Sequence, residues 1–333
     1  YTNTESSAAS DVYKRQMHDL LKRHVLPFFP DHPGNDAALL ILPPGKVALT
    51  TDSYVVDPLF FPGGDIGALA VNGTVNDLAM VGAAPHSLSL GLVIEEGLPI
   101  QTLRDVMASV AAAAAAAGIA IVTGDTKVVE RGKGDGLFIN TSGVGVAAAS
   151  LDICARRISA GDAILVSGDL GRHGIAILAA RRELQLHTPL QSDCAPLWPA
   201  VSALLDAGVA VHCMRDLTRG GLASSLNELA EEAEVGMVLQ DSAIAVTEEV
   251  NAVCELLGFD PLHVANEGRF VAIVPAAEAQ RALAALRRVP VSADACVIGH
   301  VGAEHPGGVV LVNELGARRH LPMLSGEQLP RIC

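Results

Sequence analysis

The chain has 333 residues, of which 50% are hydrophobic, 18% charged and 3% aromatic, and its formal net charge is −14. The length predicts two domains, and the high apolar fraction excludes a disordered chain. An acidic chain so poor in aromatic residues is not suited to phosphate-backbone tracking or base stacking, so we expect no nucleic-acid partner and an oligomer that buries surface between subunits.

The first half of the chain predicts a mixed α/β domain over residues 17–149. Residues 1–16 are polar and lack periodicity, and we expect this leader to lie outside the fold. The predicted elements are a helix Met17–Phe29, a hairpin of Ala37–Leu42 and Val47–Thr51, a helix Ile66–Met80, a strand Ser87–Ile94, an alanine-rich helix ending at Gly118 and a strand Leu137–Ala147. We do not expect the alanine-rich helix to span a membrane, because alanine favours helix formation but is only weakly apolar.

The second half predicts a second α/β domain over residues 150–320, followed by a tail over residues 321–333. The predicted strands are Asp162–Ser167, Gly236–Leu239, Arg269–Val274 and Cys296–His300. The predicted helices are Ile175–Glu183, Leu197–Ala207, Leu222–Glu234, Glu248–Leu257 and Ala277–Arg288. Because the tail contains Pro322, Gly326 and Pro330, it is predicted to be flexible and extended.

The six cysteines form no CxxC pair, which excludes a zinc ribbon. Their wide spacing is typical of reduced thiols in a cytoplasmic protein, where five of them would pack as small hydrophobic side chains. Cys333 differs because it is the last residue of the tail. A thiol there can visit a partner that loads it and a pocket that transforms the load, although a chance terminal residue is the alternative.

Five aspartates stand where an apolar strand or helix meets a turn: Asp36, Asp52, Asp77, Asp125 and Asp216. Mg²⁺ is commonly held by a few carboxylates together with substrate phosphates, so converging carboxylates predict a nucleotide–metal site. For any one of these aspartates, a helix cap or a turn is the simpler explanation. Five of them in a charge-poor chain favour the functional interpretation.

Two further features are compatible with a nucleotide enzyme. The turn from Gly168 through Gly171 to Gly174 lies between a strand and a helix, where backbone N–H groups can cradle phosphate, although a tight turn needing positive φ is an equal alternative. No GxxxxGK[ST] sequence occurs, which excludes a P-loop. Lys127 and Glu267 would form a proton-transfer pair if they met in a cleft, and otherwise they are a surface lysine and a turn glutamate.

Taken together, these segments resemble the HypE family of [NiFe] hydrogenase maturation factors, in the PurM-like superfamily. The resemblance spans residues 17–333 and rests on the sequences TTDSYVVDPLFFPGGD from Thr50, GTVNDLAM from Gly73, TGDTKVVERGKGDG from Thr123, DLTRGGL from Asp216, NEGRF from Asn266 and the terminal PRIC from Pro330. The last motif is the most specific of them, because ATP-using relatives in the superfamily lack such a tail.

The resemblance implies a two-domain α/β homodimer whose N-terminal sheets pair across the interface, with ATP and Mg²⁺ as cofactors. It implies that HypF loads a carbamoyl group onto Cys333, that the thiocarboxamide is dehydrated to a thiocyanate, and that cyanide passes to iron on a HypC–HypD complex. It assigns Mg²⁺ and phosphates to Asp36, Asp52, Asp77 and Asp216, with Asp125 as a further nucleotide-binding residue. Lys127 and Glu267 become the proton-transfer pair.

One departure and two alternatives remain. The family usually has a glycine-rich segment before the first helix, where this chain has residues 1–16. If that segment covers the phosphates, this chain would use ATP poorly, while its fold should survive. The alternatives are another PurM-like synthetase or kinase acting on a free small molecule, and a non-catalytic scaffold that presents the tail.

Overall fold

A four-stranded sheet and two long helices form the first half of the chain in the computed structural model, which describes residues 16–30, 37–181, 188–323 and 332–333. The strands are β1 (Lys46–Tyr54), β4 (Ala84–Glu95), β5 (Ala120–Val129) and β6 (Leu137–Ala147), the helices are α1 (Ile66–Met80) and α2 (Ile100–Ala117), and a short hairpin joins β2 (Phe60–Phe61) to β3 (Gly64–Asp65). The sheet order is β1-β6-β4-β5. β6 is antiparallel to both neighbours and β4 is parallel to β5.

One face of this sheet is covered and the other is open. The covered face packs on α1 and α2. Local sequence signals mark the start of α1 and the end of α2. Asp65 accepts the N–H groups of Gly67 and Ala68 at the start of α1, and Gly118 ends α2 in the left-handed conformation at φ 69°. The open face carries Val47 and Leu49, which are 60% and 75% exposed.

The second half forms a seven-stranded sheet with helices packed against it. The strands are β7 (Asp162–Val166), β8 (Cys213–Asp216), β9 (Gly236–Gln240), β10 (Phe270–Pro275), β11 (Cys296–Gly302), β12 (Val309–Val312) and β13 (Arg318–His320), in the order β13-β12-β9-β11-β7-β10-β8. The helices are α3 (Arg172–Ala180), α4 (Trp198–Asp206), α5 (Gly221–Ala233), α6 (Glu248–Leu257) and α7 (Ala279–Leu286). Among the described residues, no helix is long and apolar enough to cross a membrane.

The predicted α/β elements are largely confirmed, with three differences. The hairpin of residues 37–42 with β1 was wrong, because β1 pairs with β6 instead and the first run forms no strand in this chain. Leu39 and Ile41 in that run are 96% and 95% exposed. β12 and β13 were not predicted, since both are short and β13 consists of charged and polar residues. The predicted first helix is present from residue 16 to 24 and continues as a 3₁₀ turn at Leu26–Phe28.

Candidate active site

A cavity of about 250 Å³ lies where the two domains meet, and the end of the chain lines it. Its chemically active side chains are Asp52, Asp77, Asp216, Glu267, Arg219 and Cys333. The structure therefore brings together three of the five predicted aspartates, the predicted glutamate and the terminal cysteine. Asp36 lies outside the described residues, so its place at the site stays a prediction.

The N-terminal domain contributes the end of β1 and the C-terminal half of α1. Thr50 Oγ1 donates to Asp77 Oδ2 at 2.7 Å, and the Tyr54 hydroxyl lies 3.3 Å from Asp52 Oδ2. Tyr54 approaches α1 closely because Gly73 has no side chain there, since a Cβ on that residue would overlap the tyrosine oxygen. β1 and α1 together therefore direct Asp52 and Asp77 to one edge of the cavity.

The C-terminal domain contributes the end of β8 and the loop before β10. These strands are neighbours, and Asp216 pairs in register with Phe270, so the loop carrying Glu267 lies beside Asp216. The buried carboxylate of Asp193 holds this loop by accepting the backbone N–H groups of Glu267 at 3.3 Å and Gly268 at 3.0 Å. The orientation of Glu267 is thus fixed by backbone contacts from outside the cavity.

Asn76 of α1 ties the two halves of the site together. Its Oδ1 accepts the N–H of Leu197 at 2.7 Å, and its Nδ2 donates to the carbonyls of Ala195 at 3.1 Å and Glu267 at 3.2 Å. Asn76 is only 2% exposed, so losing these bonds would leave buried polar groups without partners. Asn76 was not among the predicted site residues, although it directly precedes Asp77 in the GTVNDLAM motif.

The carboxylates of the cavity repel one another, and burial favours their neutral forms. Burial, followed by repulsion from Asp77, raises the pKa of Asp52 to about 6 and that of Asp216 to about 7. Burial and the charge of Asp216 raise the pKa of Glu267 well above its ordinary value. At neutral pH and without a cation, the cluster therefore retains protons that exposed carboxyl groups would have lost.

Cys333 is held in the cavity by contacts at both its backbone and its thiol. Its carbonyl oxygen accepts the N–H of Val55 at 3.1 Å, and its Sγ accepts the Nε–H of Arg219 at 3.4 Å. Burial and the charge of Glu267 raise the pKa of the Cys333 thiol above its ordinary value. The docked cysteine is thus a neutral thiol at physiological pH, and a thiolate would form more readily when the tail is in solvent.

The cavity fits Mg²⁺ by the chemistry of its donors and not by a closed cage. Asp52, Asp77 and Asp216 offer hard oxygen ligands, and their mutual repulsion would be relieved by a cation. Within the described residues, no three His, Cys, Asp or Glu side chains stand close enough together to hold a metal ion by themselves. A magnesium ion here would need further ligands, and nucleotide phosphates usually supply them.

Asp125 and Lys127 lie elsewhere in the chain. Lys127 Nζ is 3.0 Å from Asp125 Oδ2, and their side chains are 68% and 72% exposed. They lie on β5, at the edge of the sheet opposite β1, and three strand spacings amount to roughly 14 Å. Within a single chain, Lys127 therefore does not lie near Glu267.

The glycine-rich turn is also separate from this cavity and is closely packed. Gly171 adopts φ 88°, and its N–H donates to the buried Asn266 Oδ1 at 2.7 Å. A Cβ on Gly168 would lie 2.8 Å from the Nε of Arg269, so the turn needs glycine there to fit that side chain. The tight-turn interpretation therefore accounts for both glycines, and a role in phosphate binding stays a prediction.

Comparison with known proteins follows the same division into two domains. A family model described as the N-terminal domain of AIR synthase related proteins matches residues 34–147, and the model of their C-terminal domain matches residues 159–312. The fold and its carboxylate-lined cleft thus define an AIR synthase-related protein. This confirms the predicted PurM-like fold class.

More similar relatives narrow this class. A carbamoyl dehydratase HypE from Azotobacter vinelandii is 51% identical over 299 residues, which are 90% of this chain and 88% of that protein. A crystal structure of hydrogenase maturation protein HypE in complex with ATP is 47% identical, with a TM-score of 0.90 over 95% of this chain and 96% of that one. A chain from a HypE–HypF complex is 42% identical, with a TM-score of 0.81 over 88% and 97%. The chain belongs to the HypE family of carbamoyl dehydratases.

Proposed function

We propose that this chain dehydrates a carbamoyl group carried as a thiocarboxamide on its own Cys333, consuming ATP and leaving a thiocyanate. The observation that carries the proposal is the terminal thiol lying in a cavity with Asp52, Asp77, Asp216 and Glu267. The chain is an enzyme of hydrogenase maturation, as its family membership establishes.

The chemistry balances with the groups available. ATP together with Mg²⁺ supplies the phosphoryl group that makes the carboxamide oxygen a leaving group. Asp52, Asp77 and Asp216 would hold Mg²⁺ and the phosphates. Glu267 would accept a proton from the carbamoyl nitrogen in its ionised form, which a cation held by the neighbouring aspartates would favour. Loss of both nitrogen protons and departure of the oxygen with phosphate leave the C≡N group on sulfur.

A homodimer would complete the site. The open face of the N-terminal sheet and the run before it expose Leu39, Ile41, Val47 and Leu49, which a second copy would cover. Lys127 lies on the strand at the far edge of the same sheet, remote from the cavity of its own chain. We therefore assign Lys127 and Asp125 to the cavity of the other subunit, where Lys127 would form the proton-transfer pair with Glu267.

The tail requires partners before and after dehydration. A carbamoyltransferase of the HypF type would load Cys333, in keeping with the HypE–HypF complex among the similar structures. A HypC–HypD complex would accept the cyanide for the hydrogenase iron. All six cysteines are free, which agrees with a reduced cytoplasmic setting.

The decisive experiment is mass spectrometry of the C-terminal peptide after incubation with the carbamoylating partner, with and without ATP. We expect the carbamoylated peptide to lose the mass of one water only when ATP is present. Glu267→Gln should accumulate the carbamoylated peptide while retaining ATP binding, because the variant keeps the size of the side chain and removes the base. Thiocyanate formation in Cys333→Ala, or at an undiminished rate in Glu267→Gln, would refute the proposed roles.

The alternatives predict other outcomes in the same preparations. A synthetase or kinase of a free small molecule would turn that molecule over equally well after removal of residues 324–333, which leaves the buried Leu321 in place. A scaffold would bind its partners normally and hydrolyse no ATP, even when a family leader with its glycine-rich segment replaces residues 1–16.

A further inference from the structure

His173 connects the C-terminal tail to the interior of the protein. It lies in the first turn of α3 and is 0% exposed. Its Nε2 is 2.6 Å from the carbonyl oxygen of Ile332, and its Nδ1 is 2.9 Å from the hydroxyl of Ser192. The bond to Ile332 joins residues 159 positions apart in sequence, one residue before the reactive thiol.

The partners of the ring determine which nitrogen carries the proton. A carbonyl oxygen can only accept, so the proton lies on Nε2 and the Nδ1 lone pair accepts the hydroxyl proton of Ser192. That hydroxyl in turn accepts the N–H of Cys194 at 3.0 Å. Burial lowers the pKa of His173, which agrees with a neutral ring. A chain of three hydrogen bonds therefore runs from the backbone at Cys194 to the tail.

The ring is oriented by contacts that do not involve the tail. Phe61 packs edge-on against it, with ring centroids 5.6 Å apart and an interplanar angle of 90°. Ser192 is fixed by its own N–H, which donates to the carbonyl of Pro62 at 2.8 Å. The Nε2–H donor of His173 thus points to the position of the Ile332 carbonyl without help from the tail. The His173 ring therefore loses little conformational freedom when the tail docks.

We propose that His173 is the positioning residue that latches the tail, and that its hydrogen bond to Ile332 sets the fraction of time for which Cys333 is docked in the cavity. Loading by a partner requires Cys333 to leave the cavity, whereas dehydration requires it to be docked there. The latch therefore sets how the thiol's time is divided between the two states. This division rests on the proposed function. The latch is a property of the resting protein and needs neither ATP nor a carbamoyl group.

The test measures how fast iodoacetamide alkylates Cys333 in the full-length protein. Cleavage after Glu327 releases a peptide from Gln328 to Cys333, which separates this thiol from the other five for mass spectrometry. We expect the wild-type thiol to react at least about tenfold more slowly than the free hexapeptide. His173→Phe retains an aromatic ring beside Phe61 and lacks the donor. Since a net hydrogen bond changes a population about fivefold, we expect alkylation to accelerate about fivefold.

Two variants separate the latch from a loss of structure. His173→Gln retains a side-chain N–H donor and should stay within about twofold of the wild-type rate, since only the donor is required. His212 is a matched control, because its Nδ1 lies 2.8 Å from Asp162 Oδ2, its side chain is 14% exposed and it makes no described contact with the tail. His212→Gln should lower the unfolding temperature without accelerating alkylation of Cys333.

The outcomes decide the proposal independently of the dehydratase. A folded His173→Phe protein alkylated at the wild-type rate would overturn the latch, as would equal acceleration in His212→Gln or a wild-type rate equal to that of the peptide. If His173→Phe does not fold, Ser192→Ala decides, because it removes the hydroxyl that directs the Nδ1 lone pair and should accelerate alkylation about twofold or more. Failure of the proposed function would instead appear as thiocyanate formation without Cys333, which leaves these rates unchanged.

Discussion

Asp216 is a partly buried carboxyl group of the site that lowers the stability of the fold when it is ionised. Its pKa is raised to about 7, so the folded chain binds its proton more tightly than the unfolded chain does. Between pH 4 and 7 the folded state holds the extra proton, and the stability contributed by this group is lost as the pH rises through that window. Such destabilising groups are typical of functional sites.

We therefore predict that Asp216→Asn stabilises the nucleotide-free protein at pH 8. Asparagine removes the charge that burial and Asp77 disfavour, and gains of this kind amount to about 1 kcal/mol. Thermal unfolding from pH 4 to 8 should show a smaller decline for the variant than for the wild type. Asp294→Asn, at an exposed position, is the control and should match the wild type. An Asp216→Asn protein less stable than the wild type at pH 8 would contradict the argument.

At this scale, the sequence predicted the residues that carry charge better than those that position them. Asp52, Asp77, Asp216, Glu267 and Cys333 stand in local motifs, and the structure brings them together. Their supporting residues act over long distances along the chain. Asn76 bonds a loop 121 residues away and His173 bonds the tail 159 residues away, so no local pattern marks either as a site residue.

The contact between α1 and β1 is the element-scale feature on which the cavity most depends. Gly73→Ala should improve the intrinsic helix propensity of α1 by about 1 kcal/mol, yet its methyl group would overlap the hydroxyl of the buried Tyr54. Overpacking of this kind costs about 1–3 kcal/mol, so we expect net destabilisation and a displaced Asp52. Chemical denaturation of the variant measures the loss.

A double-mutant cycle checks the cause of that loss. Tyr54→Phe removes the overlapping oxygen, so Gly73→Ala should be neutral or stabilising in that background. The same destabilisation in both backgrounds would show that the tyrosine oxygen is not responsible.

Element prediction succeeded where apolar periodicity was strong and failed where pairing decided the structure. The helices Ile66–Met80 and Glu248–Leu257 were predicted with the bounds observed. The run before β1 has strand-like composition, but β1 is paired with β6, and sequence periodicity does not encode the choice of partner.

At the scale of the whole molecule, the role proposed for Lys127 would require a second subunit. A mixed dimer of Lys127→Ala and Cys333→Ala chains provides the test, because each parent homodimer should be inactive. If Lys127 serves the other subunit, the mixed dimer contains one complete site and should dehydrate at about half the wild-type rate per dimer. An inactive mixed dimer would place Lys127 in its own chain's site, and an active Lys127→Ala homodimer would place it outside catalysis. Purification with two different N-terminal tags isolates the mixed species.

The anchored start of the tail limits the distance over which the Cys333 thiol can carry its group. Leu321 is fully buried, and its carbonyl accepts the Nδ2–H of Asn227 at 2.8 Å. Twelve residues lie beyond it, and a fully extended chain of that length spans about 40 Å. Leu321 is thus the fixed point of the tail, and the Cys333 thiol can reach only points inside a sphere of that radius centred on Leu321. Every donor of a carbamoyl group and every acceptor of cyanide must open its site within this sphere.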